Sequence, residues 1–220
     1  MWSFKKEKPI DEMQASIPRE QLIRNSRTVI IDDEEPDLKQ DLEQRGFAVT
    51  WSPDMDQNLQ RQIEAGLYDL VLLDFGGVGK EMGHEEGLAI LRHIKRVCPG
   101  VSVLSYTSKS LDATQADFYR LTDGVLSKDT GIAESLEKVE DALRQANSAG
   151  SLWKSLLARM DIKPGTEQEV ELQKKLWASA RNPGKRERFN KYLNSVLDDE
   201  NTQKAAGVIA GKLLVILASA

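Results

Sequence analysis

A chain of 220 residues, 40 % apolar and 30 % charged with 15 Gly and 7 Pro, has room for one large domain, or for one ordinary domain and a small module. These proportions exclude a disulfide miniprotein and a chain disordered throughout, and one cysteine with two histidines excludes an internal disulfide and a Cys/His zinc set. The net charge of −5 hides a partition: Arg27 to Gly150 carry 13 Lys/Arg against 23 Asp/Glu, whereas Ser151 to Ala220 carry 12 against 8. An acidic middle opposes a nucleic-acid surface there and favours a cation or a basic partner. The N-terminus, with Lys5, Lys6, Glu7 and Lys8 before Pro9, lacks the apolar run of a signal peptide. With the lone Cys98 this gives the expectation of a reducing, cytoplasmic compartment.

In chain order, Thr28 to Ile31 reads as a strand that runs into Asp32, Asp33, Glu34 and Glu35, with Pro36 opening a helix spaced by Leu38 and Leu42 and stopped at Gly46. Phe47 to Trp51 is a second strand and Met55 to Ala65 a second helix. The run Asp69 to Asp74 is continuously apolar between its carboxylates, as a strand covered on both faces reads. Leu88, Leu91, Ile94 and Cys98 keep helical spacing until Pro99 and Gly100, and Val101 to Ser105 is the fourth strand. Leu111 to Arg120 is a helix, Gly124 to Ser127 the fifth strand, and Ile132, Leu136, Val139 and Leu143 space a helix to Asn147. Five β/α units with right-handed crossovers predict an α/β fold, a doubly wound five-stranded parallel sheet with sites outside the carboxyl ends of its strands.

After Asn147-Ser148-Ala149-Gly150 only helices are predicted, over 152–160, 167–180, 185–197 and 202–218. The expected division is an N-terminal extension over 1–26, the α/β domain over 27–148 and a small all-α module over 149–220.

The predicted strand ends converge on one chemistry. Asp32 and Asp33 follow strand one, Asp74 follows strand three, Ser105 closes strand four and Lys128 follows strand five. Three crowded carboxylates repel unless a divalent cation lies among them, and Mg²⁺ suits an oxygen site with few protein ligands. Lys128 would neutralise a further anion arriving beside the metal, and a phosphoryl group fits that combination.

The segments Val29-Ile30-Ile31-Asp32-Asp33-Glu34, Leu70-Val71-Leu72-Leu73-Asp74, Val103-Leu104-Ser105 and Asp123 to Asp129 resemble the CheY-like receiver domain of two-component response regulators, over Arg27 to Asn147. The resemblance implies a flavodoxin-like fold and a phosphoprotein that receives its phosphoryl group on Asp74 from a histidine kinase or a histidine phosphotransfer protein. It implies Mg²⁺ held by Asp32, Asp33, Asp74 and the Gly76 backbone carbonyl, with Ser105 and Lys128 on the phosphoryl oxygens. It also implies a regulator rather than an enzyme, whose only chemistry is self-catalysed phosphoryl uptake and slow autodephosphorylation. The chain departs from the family pattern in a longer loop, Gly76 to His84, in which Gly79-Lys80 fails the P-loop pattern at Asp74 and Glu81. Val125 stands where many members carry an aromatic switch residue. Tyr106, next to Ser105, is the candidate switch in its place; because it adds bulk beside the site and Gly76 has no side chain to hold a water, the phosphoryl group is expected to be long-lived.

No helix-turn-helix signature is found after Ser151. The bases Arg181, Lys185, Arg186, Arg188 and Lys191 read as the solvated side of a helix whose apolar face is Phe189, Leu193, Val196 and Leu197. Ala205 to Ala220 would span about 24 Å as a helix, short of the ~30 Å of a bilayer core, with Lys212 near its middle. The expected output is therefore contact between the C-terminal helices and a protein partner, a second copy included. The alternatives are a DNA-binding regulator using the basic helices and a membrane-associated effector using the apolar one.

Overall fold

The computed structural model describes residues 9–13, 17–98, 100–108 and 115–219. Ahead of the sheet lies α1 (Arg19–Asn25), which follows Pro18 and buries Leu22. The β-branched and leucine runs then form β1 (Arg27–Ile31), β2 (Ala48–Ser52), β3 (Leu70–Leu73), β4 (Ser102–Thr107) and β5 (Gly124–Ser127). Between and after them come α2 (Asp37–Gln44), α3 (Gln57–Glu64), α4 (Gly87–Val97), α5 (Ala116–Leu121) and α6 (Ile132–Ala146). The strands are all parallel in the order β2-β1-β3-β4-β5, the doubly wound flavodoxin-like order. Val29, Ile31, Val71, Leu73 and Val103 pack on one face against Leu59, Ile63, Ile90, Ile94 and Phe118 of α3, α4 and α5. Each of these strands alternates faces, so Ile30, Leu72, Leu104, Tyr106 and Leu126 belong to the other.

Two differences from the sequence expectation matter. The helix α1 was not anticipated, because seven residues carry too little periodicity to read; its Arg19 guanidinium bonds Glu140 of α6 at 2.9 Å. Strand β4 does not end at Ser105 but runs on to Thr107, since Tyr106 and Thr107 find partners in β5 opposite Leu126 and Ser127. Of the expected helix over 111–120, residues 111–114 lie outside the described residues, as do 1–8 and 14–16 of the expected extension.

The chain divides into two units, one of residues 17–147 and one in which residues 9–13 join 148–219. The second contains α7 (Ala149–Arg159), α8 (Glu167–Arg181), α9 (Arg186–Val196) and α10 (Glu200–Ala218). Ser148, Thr166 and Asp199 cap α7, α8 and α10 with side-chain oxygens that accept from backbone N–H groups of the first turn. Trp153, Leu156, Leu172, Leu176 and Leu213 are buried, and the Trp153 indole donates to Glu169 at 3.0 Å. Ile10 is buried in this unit, its amide donating to Gln173. Among the described residues no helix is long and apolar enough to cross a membrane.

Candidate functional site

The register sets the site. Ile31 lies level with Leu73 and Leu73 with Ser105, so Asp32 and Asp74 emerge side by side where β1 and β3 stop. This is the point from which the chain winds to opposite sides of the sheet, where a crevice forms outside the carboxyl ends. The Asp74 amide still donates to Ile31 O at 2.9 Å, and Trp51 Nε1 donates to Asp32 O at 2.8 Å, so both backbones are fixed.

One carboxylate oxygen from each of Asp32, Asp33 and Asp74 lies within 4.8 Å of the others. Lys128 closes the group from β5: its ammonium is 2.9 Å from Asp74 Oδ2 and 2.6 Å from Asp32 Oδ2. Asp32 is completely buried, and its Oδ2 has no hydrogen bond of acceptable angle, the Lys128 contact being an ion pair. Burial pushes the Asp32 carboxyl above its ordinary value, while the Lys128 charge and the Glu34 amide pull the other way. Burial also works against the Lys128 charge, but Asp32 and Asp74 outweigh it and hold the ammonium above the ordinary lysine value.

The residues present fit a hard divalent cation. The oxygens are anionic and close together, and Asp32 Oδ2 is a buried acceptor with an unfilled hydrogen-bonding position. Gly77, at φ +76°, brings its backbone so close to Asp33 that a Cβ there would overlap the carboxylate. Gly87 opens α4 with its amide on Phe75 O at 2.9 Å, and a Cβ there would strike the Asp74 carbonyl oxygen. Gly76 is thus flanked on one side by the Asp74–Phe75 backbone packed on Gly87 and on the other by Gly77 packed on the Asp33 carboxylate.

The long loop after β3 is anchored. Val78 is fully buried in the α3/α4 core. Asp54, from the loop after β2, accepts from the amides of Met55 at 2.7 Å, Gly79 at 2.5 Å and Lys80 at 3.3 Å. Sequence reading missed Asp54, and the only signal for it was a carboxylate beside Pro53 between the second predicted strand and the second predicted helix.

Asp32, Asp33, Asp74 and Lys128 come together as expected, whereas Ser105 and Tyr106 do not lie where the sequence placed them. Ser105 is level with Leu73, inside the sheet, and its hydroxyl points to Gly124 O at 3.5 Å. The hydroxyl at the carboxyl end of β4 is that of Thr107, also buried, one position past the level of Asp74. Tyr106 lies on the opposite face, where it lines a cavity of about 260 Å³ with Asp37, Leu38, Lys128, Ile132 and Ser135. Its ring centroid is 5.6 Å from Lys128 Nζ, and burial pushes its hydroxyl up to about 12. Val125 is exposed on the edge strand.

No protein-family model and no curated protein matches the chain. Among solved structures it is similar to a CheY-like response regulator receiver domain protein from Methanospirillum hungatei JF-1, at 23 % identity over 55 % of this chain and 95 % of that one, TM-score 0.45. The receiver domain of NtrX from Brucella abortus is 23 % identical over 53 % of this chain and 97 % of that one, TM-score 0.45. A two-component response regulator from Clostridium difficile is 21 % identical over 56 % of this chain and 99 % of that one, TM-score 0.47. By its own strand order and crevice, the unit of residues 17–147 has the flavodoxin-like fold, and in that fold it is similar to CheY-like receiver domains.

Proposed function

We propose that this protein is a phosphorylation-controlled response regulator: Asp74 accepts a phosphoryl group from a histidine kinase or a histidine phosphotransfer protein, and the C-terminal helices pass the signal to a protein partner. The observation that carries this reading is the pairing of Lys128 with Asp32 and Asp74 at one sheet edge, beside a third carboxylate on Asp33. An isolated ion pair would need one carboxylate, and a capping Asp would need no lysine. Mg²⁺ held by Asp32, Asp33, Asp74 and the Gly76 carbonyl would offset the charge of an incoming phosphoryl group.

The chain's own residues account for the rest. Asp74 Oδ1 accepts from the Phe75 amide at 2.7 Å, which turns one carboxylate oxygen inward and leaves Oδ2, on the Lys128 side, as the nucleophile. Lys128 can follow the transferred group, because its ammonium already bridges two carboxylates. Thr107 replaces Ser105 in our assignment as the hydroxyl that meets a phosphoryl oxygen, since it closes β4 at the site. The residue after that hydroxyl is then Ser108, which is small and exposed, so Tyr106 does not stand over the acceptor and its expected shielding role loses its basis. Tyr106 reports instead to the α2/α6 side through Lys128. Such a protein would work as a regulator, with phosphoryl uptake and loss its only chemistry.

The test is intact mass after incubation with a small phosphodonor. One phosphate should be gained with Mg²⁺, none after chelation and none by Asp74→Asn. Equal labelling of that variant would remove Asp74 as the acceptor.

A further inference from the structure

A second cavity, of about 170 Å³, lies in the helical unit between α8 and α9, where Ala178 and the rings of Phe189 and Tyr192 form its walls and Lys175, Lys185 and Arg188 its rim. The interior is apolar; an apolar cavity of roughly 150 Å³ holds one benzene, so this one takes a single aromatic or leucine side chain. No carboxylate lines it. Glu171 is taken up by Lys175 and Glu187 by Lys191, whereas Lys185 and Arg188 are exposed and have no ion-pair partner among the described residues. Lys185 is the N-cap of α9 and Arg188 stands in its first turn, where the helix dipole disfavours positive charge.

The geometry points to this cavity as the docking site for an acidic peptide segment of a partner protein, with one apolar side chain seated in the cavity and flanking carboxylates on Lys185 and Arg188. Charge complementarity selects the acidic class, and the shape of the cavity selects a peptide. A nucleic-acid strand would need a free ring face for stacking, but Phe189 is buried and Lys175 Nζ already covers the Tyr192 ring at 4.6 Å. A membrane surface would need apolar side chains that project outward, and here they line a recess. The inference gives the chemistry of the partner in the proposed output role, and it stands without phosphorylation at Asp74.

The experiment measures binding of the full chain, with and without phosphodonor treatment, to a short labelled peptide with one central Phe between runs of Glu. Controls are the same peptide with Ala for Phe, and with Gln for Glu, together with a single-stranded oligonucleotide and vesicles of anionic phospholipid. The acidic Phe peptide should bind about tenfold more tightly than either control peptide. Lys185→Glu with Arg188→Glu should abolish that preference, and Ala178→Trp, which fills the cavity from within, should do the same. Circular dichroism would show that both variants keep their helices. Peptide binding by Asp74→Asn would separate this site from the receiver reading. Overturning results are no peptide binding by either form, binding unchanged in the folded variants, or retention of the oligonucleotide or vesicles in place of the peptide.

Discussion

Burial holds the Asp32 carboxyl above its ordinary value with Lys128 Nζ 2.6 Å away, and this makes a prediction about stability against pH. A carboxyl raised in the folded state contributes stability that is fully present below its ordinary value and lost as pH rises through the raised one. The stability of Asp32→Asn relative to wild type should therefore grow as pH rises from the ordinary carboxylate range towards neutrality, by urea denaturation without metal; a flat difference would contradict it. Lys128 has the opposite sign of charge, and its contribution is present at neutral pH and lost only above the ordinary lysine range. Lys128→Ala should cost about 1–3 kcal/mol in the same assay, because a buried carboxylate loses its partner, and Mg²⁺ should recover part of the loss. At this scale Asp32, Asp33, Asp74 and Lys128 were legible because each follows a strand whose end is marked by the change from apolar to charged. Thr107 was not, because Ser105, Tyr106, Thr107 and Ser108 all suit a strand, and only pairing with β5 shows where β4 stops.

The loop between β3 and α4 reads from sequence as a run of glycines with nothing to hold it, yet it is tied at three places: Val78 in the core, the Gly79 and Lys80 amides on Asp54, and Gly77 against Asp33. The sequence could not show this, because the anchor lies 25 residues upstream of Gly79 on another loop. Asp54→Ala should remove hydrogen-exchange protection from the Gly79 and Lys80 amides and lower stability by about 1–2 kcal/mol, since these two N–H groups and that of Met55 lose their acceptor. Unchanged protection at those amides would show that Val78 alone holds the loop. Gly77→Ala should weaken Mg²⁺ binding, since it forces a β-carbon into the Asp33 carboxylate at a positive φ; isothermal titration would measure the change. The strands were legible at this scale from their apolar runs, and α1 was hidden by its seven-residue length.

The division of the chain into two units carries its own test. Residues 17–147 contain the whole sheet and all the helices packed on it, so that fragment should unfold cooperatively in urea. A fragment over 27–147 should be less stable by about 3 kcal/mol, since it loses the buried side chains of Ile17 and Leu22. Equal stability would mean that α1 adds nothing to the core. The division between residues 147 and 148 falls where predicted strands give way to predicted helices, whereas nothing in the sequence marks that residues 9–13 join the helical unit, since a three-residue turn gives no periodic signal. The claim on which the functional reading rests is that Asp74 itself bears the phosphoryl group, and borohydride trapping after phosphodonor and Mg²⁺ treatment tests it most directly. Reduction converts an acyl phosphate to homoserine at the residue that carried it, and peptide mass mapping then locates that residue. The account predicts homoserine at position 74 alone, dependent on Mg²⁺; homoserine at Asp32 or Asp33, or none anywhere, would contradict it.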